Sequence, residues 1–162
     1  MPAPIRFSLA AAGLLYSVAA LPAAAATDHI SGHISGSITF VSDAPQVTGL
    51  PGGRKVMVIP SHGVVVLTDA TSPINLSSVD CSGAYVLDPQ GNLTFESGSC
   101  DMIDRDGDTW SLWYSNRGKD RTWTVIGGTG KYARLTGGGT DVQHDTIVDG
   151  RVVLTIEGDL KG

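Results

Sequence analysis

Between residues 30 and 40 the chain reads ISGHISGSITF, with Ile30, Gly32, Ile34, Gly36, Ile38 and Phe40 on every second position and Ser, His or Thr between them. A period of two sends alternate side chains to opposite faces of an extended strand, one apolar and one polar. Shorter runs of strand character follow at residues 55–59, 63–68, 84–87, 92–96, 100–103, 109–114, 122–126, 139–144 and 151–157. Clusters of Gly, Pro, Asp, Asn and Ser separate almost all of them: SDAP, GLPGG, PSHG, DATSP, DPQGN, DRDGD, NRGKD and VDG. Residues 67–79 are the least regular and read as a long loop. Beyond the first 26 residues no window of about a dozen sustains the apolar spacing of a helix. The expectation is an all-β fold, an antiparallel sandwich or barrel, and a closed barrel leaves no exposed sheet edge to guard.

The first 26 residues have a different character. Arg6 gives a positive start, residues 7–21 are largely apolar, and Ala24, Ala25 and Ala26 form a small-residue exit, the three parts of a secretory signal peptide. The apolar run is shorter than the roughly 20 residues of a spanning helix and is followed by Pro22, so it reads as removed and not as an anchor. The mature chain is expected to begin near Thr27, as a single barrel domain over residues 27–162 in a secreted or periplasmic location. The leader carries one of the 11 basic residues and none of the 16 acidic ones, which leaves a formal charge of about −6. An acidic chain without a basic stripe repels nucleic acid, and no later segment is apolar enough to cross a bilayer.

Cys81 and Cys100 are the only cysteines. Two thiols in an exported chain are expected to pair. The loop so closed, about 20 residues, restricts the unfolded chain by on the order of 3 kcal/mol.

Residues 123–140, WTVIGGTGKYARLTGGGT, invite a phosphate-binding reading that the spacing rejects. A P-loop ends Gly-Lys-Ser/Thr and has a glycine five places before the Gly-Lys; here Tyr132 follows Lys131, and Val125 stands where that glycine belongs. Glycines and β-branched residues after Lys131 also leave no helix for a dinucleotide fingerprint. The stretch is therefore read as a strand, a glycine turn and a second strand. In it Gly127, Gly128, Thr129, Gly130, Tyr132 and Gly137 resemble the Gly-Gly-Thr-Gly-x-Phe/Tyr segment of dirigent proteins and of bacterial exported proteins with an allene oxide cyclase-like barrel. A weaker similarity runs back to Cys100. The resemblance implies a calycin-like, closed antiparallel barrel of about eight strands with a central apolar cavity, often assembled as dimers or trimers. In plant members such barrels steer a reactive substrate by shape. Arg134 and Leu135 depart from the dirigent pattern, and no family catalytic residue can be carried over.

Asp104, Asp106 and Asp108 in DRDGD suggest half of a calcium loop, but Ser115 stands where the closing glutamate is needed, so a hairpin turn is the favoured reading. His29 and His33 could share a metal, yet no third ligand is near them in sequence; His62 and His144 are isolated. The sequons at Asn75 and Asn92 matter only in a eukaryotic secretory route. No G-x-S-x-G elbow occurs, and no complete cofactor or metal motif is present, so neither is expected. Trp110, Leu112 and Tyr114 share one strand face, Trp113 the other, and Trp123 lies on the next strand. Trp110, Tyr114 and Trp123 are the candidate ligand-binding residues. The leading expectation is an exported barrel holding a small hydrophobic or aromatic molecule; the alternative is a cyclase or isomerase, which requires a buried polar group facing inward.

Overall fold

The computed structural model describes residues 30–117, 120–144, 146 and 148–162. The leader Met1–Ala26 and His29 lie outside the described residues. Strand β1 (Gly32–Ser42) carries the opening alternation and runs on to the short β2 (Gln46–Gly49). Then come β3 (Lys55–Leu67), β4 (Ser78–Leu87), β5 (Leu93–Ile103), β6 (Thr109–Arg117), β7 (Asp120–Gly128), β8 (Thr136–His144) and β9 (Arg151–Lys161). Apart from two three-residue 3-10 turns, at Pro51–Gly53 and Gly130–Tyr132, the described residues contain no helix.

Every neighbouring pair is antiparallel, in the order β1, β9, β8, β7, β6, β5, β4, β3. The ring closes because β1 pairs on its other side with β3, Gly36 opposite Leu67 through Ser42 opposite Ser61. This makes a closed eight-stranded barrel, with β2 continuing the line of β1 along the first half of β3. Among the described residues no helix is long and apolar enough to cross a membrane.

One expected turn and one expected break are interior strand residues instead. PSHG lies inside β3, and the gap between the strands expected at residues 92–96 and 100–103 lies inside β5, so four short expected strands become two long ones. The reason is the demand of a curved wall. The Pro60 carbonyl accepts from Asp43 N (2.9 Å) at the break between β1 and β2, so the nitrogen that lacks a hydrogen, on the same side, faces that break and costs no ladder bond. At Gly63 a Cβ would overlap the Thr39 carbonyl, and its absence lets β1 pack tightly across β3. The expected loop is real but begins and ends slightly inside its assigned limits, between Leu67 and Ser78. Asn75, the first sequon residue, is used within it, accepting from Leu67 N at 2.8 Å.

Inward residues follow the period of two. On β6 Trp110 and Leu112 are buried while Trp113 is 48% exposed. One end of the barrel is plugged by Ile74 from the β3–β4 loop and by Tyr132 and Leu135 from the β7–β8 connection, all buried. Cys81 and Cys100 stand directly opposite on β4 and β5 and form the expected disulfide.

Candidate functional site

Above that plug the barrel encloses a cavity of about 230 Å³. Its lower walls are aliphatic, aromatic or sulfur-bearing: Ile38, Val65, Met102, Trp110 and Ile156 among them, with the disulfide on one side. The three aromatics singled out from the sequence, Trp110, Tyr114 and Trp123, all line it. Trp123 is fixed there by its indole N–H, which donates to the Thr140 carbonyl at 3.1 Å. Gly158 lies beneath the same ring, and a Cβ there would stand 2.5 Å from Trp123 Cζ2.

The opposite end of the cavity is polar. Tyr85 on β4, Glu96 on β5, Asn116 on β6 and Arg121 on β7 are successive partners across the sheet. The pairing of Thr122 with Thr140 brings Asp141 of β8 next in line. Five strands thus contribute one polar side chain each to a single row. Arg121 Nε donates to Asp141 Oδ1 at 2.6 Å and its Nη1 to Glu96 Oε2 at 3.3 Å. Glu96 is 4% and Asp141 8% exposed. Burial opposes the charge on Arg121, but the Asp141 hydrogen bond and the two carboxylates outweigh it and hold the guanidinium pKa above its usual range.

The tyrosines stand over a gap made for them. Gly83 and Gly98 are directly paired on β4 and β5 and face inward; a Cβ on Gly98 would come 2.6 Å from the Tyr114 hydroxyl, and one on Gly83 would overlap it. Burial first, and then the neighbouring Glu96 carboxylate, pushes the Tyr85 hydroxyl up to about 12. Burial, with Tyr85 and Glu96 adding to it, raises Tyr114 beyond the ordinary phenol range. At neutral pH both are protonated and can donate. The row and the neighbouring Tyr114 therefore set hydrogen-bond-accepting carboxylates, hydroxyl donors and a fixed positive charge at one end of a mainly apolar chamber.

Sequence reasoning missed Glu96, Arg121 and Asp141. A signal existed: Glu96 shares the strand parity of Cys100 and Met102, and Arg121 that of Trp123 and Val125, so each is a charged residue on an inward face. Only the closure of the sheet shows that these faces meet.

The two motifs that drew attention as ion sites meet at the plugged end. Lys131 Nζ lies 2.7 Å from Asp104 Oδ2, 2.6 Å from Asp106 Oδ2 and 3.8 Å from Asp108 Oδ2, so the ammonium of the glycine turn fills the mouth of the acidic turn. Asp104 Oδ1 accepts from the backbone N–H of Asp106 (2.8 Å) and Asp108 (3.1 Å), while its Oδ2 accepts from the Tyr132 hydroxyl (2.9 Å). Burial alone would raise Asp104, but Lys131, Tyr132 and the Asp106 N–H together hold it below the usual carboxylate range. Asp104, then Asp106, raises Lys131 in turn. Gly130 is required at this junction: its φ is +50°, and a side chain there would collide with the Asp108 carboxylate.

Among the described residues the histidines do not gather. His33 pairs with Asp159 (3.4 Å), His62 with Asp80 (2.6 Å) and Asp43 (3.4 Å), and His144 with the Thr155 hydroxyl (2.6 Å), all on the outer surface.

No protein-family model matches the chain, and no curated protein sequence matches it. Among solved structures it is similar to the pterocarpan synthase dirigent protein GePTS1, with a TM-score of 0.53 over 83% of this chain and 87% of that one at 16% identity. At that identity the likeness is one of architecture: the chain has a dirigent-like closed β-barrel fold.

Proposed function

We propose that this is an exported barrel that takes a small, mainly apolar molecule into its central cavity, with the polar end of that molecule set against the row from Tyr85 to Asp141. The observation that carries the reading is the chamber itself, about 230 Å³, with mostly aliphatic and aromatic walls and the charged Glu96, Arg121 and Asp141 gathered on one part of its lining. An apolar cavity of about 150 Å³ holds a benzene ring, so this one suits a ring with a short substituent. Few convergent polar groups in an otherwise apolar concavity are the usual make-up of a ligand site. Export rests on the composition of residues 1–26.

A second reading, an enzyme of the cyclase or isomerase kind, is favoured by one feature: ionisable groups, Glu96, Arg121 and Asp141, stand inside the barrel beside two protonated phenols. Tyr85 or Tyr114 would donate to an oxygen gaining charge, and Glu96 would accept a proton, in a chamber that restricts water. The barrel shared with a pterocarpan synthase dirigent protein lends this reading support from fold alone.

The full chain, expressed with its leader and recovered from the envelope or medium, provides the test. The expected outcome is a mature terminus near Thr27 and a non-covalent small molecule of low polarity, released on denaturation and identified by native mass spectrometry. Protein that retains nothing and is not stabilised by small aromatic compounds would contradict the ligand reading; an intact leader would contradict export.

A further inference from the structure

We propose that the polar end of the cavity is a cation site, and that the preferred ligand is a small aromatic or alicyclic amine bound in its protonated form. The inference rests on the ligand-binding reading above and specifies the ligand class.

The charges that face the cavity do not balance. Among the described residues lining it, the side chains that bear formal charge are the carboxylates Glu96 and Asp141 and the single guanidinium of Arg121, so acids outnumber bases by one inside the barrel. The single guanidinium is not shared evenly. Its short contact is with Asp141 (2.6 Å), and it reaches Glu96 only at 3.3 Å. Glu96 is nonetheless almost wholly removed from solvent, at 4% exposure. A carboxylate held away from water, with the neutral Tyr85 hydroxyl and one long guanidinium contact as its partners, favours the arrival of a second positive charge.

Two further features suit an ammonium. Asn116, between Glu96 and Arg121 in the row and 4% exposed, does not itself line the cavity, and neither of its amide atoms is hydrogen-bonded, so it supplies Glu96 with no compensating partner. Tyr85 and Tyr114 add hydroxyl oxygens and ring faces, and Trp123 a larger ring face; aromatic faces attract cations most when water is excluded. A ligand carboxylate would bring a third negative charge to the same place. A neutral alcohol would satisfy the hydrogen bonds and leave the charge uncompensated.

Three probes of matched size separate these cases: 2-phenylethylamine, 2-phenylethanol and phenylacetate, titrated at pH 7 and low salt against the mature protein by calorimetry and by tryptophan fluorescence. The expected result is a Kd for the amine at least tenfold below that of the alcohol, with no saturable binding of phenylacetate. In Glu96→Gln, shown by near-UV circular dichroism to keep its packed aromatics, the preference for the amine over the alcohol should fall below threefold. Equal or tighter binding of the alcohol or of phenylacetate would overturn the cation site and leave the cavity reading standing, as would binding of toluene without binding of the amine. If toluene also fails to bind, the cavity reading falls with it.

Discussion

Removing the Asp104 carboxylate, by Asp104→Ala, tests whether the paired acidic and glycine turns hold the barrel shut at its plugged end. The side chain is 2% exposed and serves two buried partners through Oδ2. Its loss leaves the hydroxyl of Tyr132, a residue with no solvent exposure, without its acceptor, at about 1–3 kcal/mol. It also removes the buried partner of Lys131, worth about 1.5–3 kcal/mol for a charged hydrogen bond, with the lower figure apt because Asp106 still holds the ammonium. The two backbone N–H groups can turn to water at little cost. The total is about 2.5–4.5 kcal/mol, or roughly 8–14 °C in Tm for a domain of this size. Urea denaturation at pH 7, with Tyr132→Phe alongside, measures it; Tyr132→Phe should account for about 1–2 kcal/mol. The pH dependence has a definite sign. Asp104 has a lowered folded pKa, so its stabilisation is whole above the ordinary carboxylate value near 4 and is lost as pH falls through the folded value. Lys131 has a raised one, so its share is whole below about 10.5 and is lost only as pH rises through the folded value. The gap between wild type and Asp104→Ala should therefore be constant from about pH 5 to 10 and shrink in acid. A loss under about 1 kcal/mol, or a gap that persists undiminished at pH 2, would refute this account.

Two other perturbations address the cavity wall. Gly98→Ala sets a methyl group against the Tyr114 hydroxyl and the Ser82 carbonyl, and overpacking of this kind costs about 1–3 kcal/mol; it should also change the near-UV aromatic signal, and a silent substitution would mean that the tyrosines do not need the glycine gap. Replacing Cys81 and Cys100 together by Ala should lower stability by on the order of 3 kcal/mol in guanidinium titrations, and an unchanged midpoint would show that the β4–β5 ladder alone fixes the chain there.

The barrel was legible because its evidence is local. Alternation at Ile34, Ile38 and Phe40, and again at Trp110, Leu112 and Tyr114, reports an inward face whatever the neighbours are. Strand limits were less so, since Pro60, Gly63 and Gly98 look like turn residues in one dimension and are bend or clearance residues in a curved sheet. The polar row was not found because its members come from five strands, and each is a single polar residue in an otherwise ordinary segment. The lysine in the glycine turn and the acids of DRDGD were both noticed, each as a potential ion site. What the sequence could not reveal is that β6 and β7 bring them to one point, where the single ammonium sits among the three carboxylates.

The seam of the barrel joins its first strand to its last: Gly36 of β1 pairs with Ile156 of β9 across most of the chain. A polypeptide delivered end first, from a ribosome or through a translocation channel, cannot seal that seam until β9 has emerged. Until then β1 has only β3 beside it, and the chamber stands open to water along one side. Contacts of such long sequence separation slow folding, so the sheet can close into a barrel only once the whole chain is free.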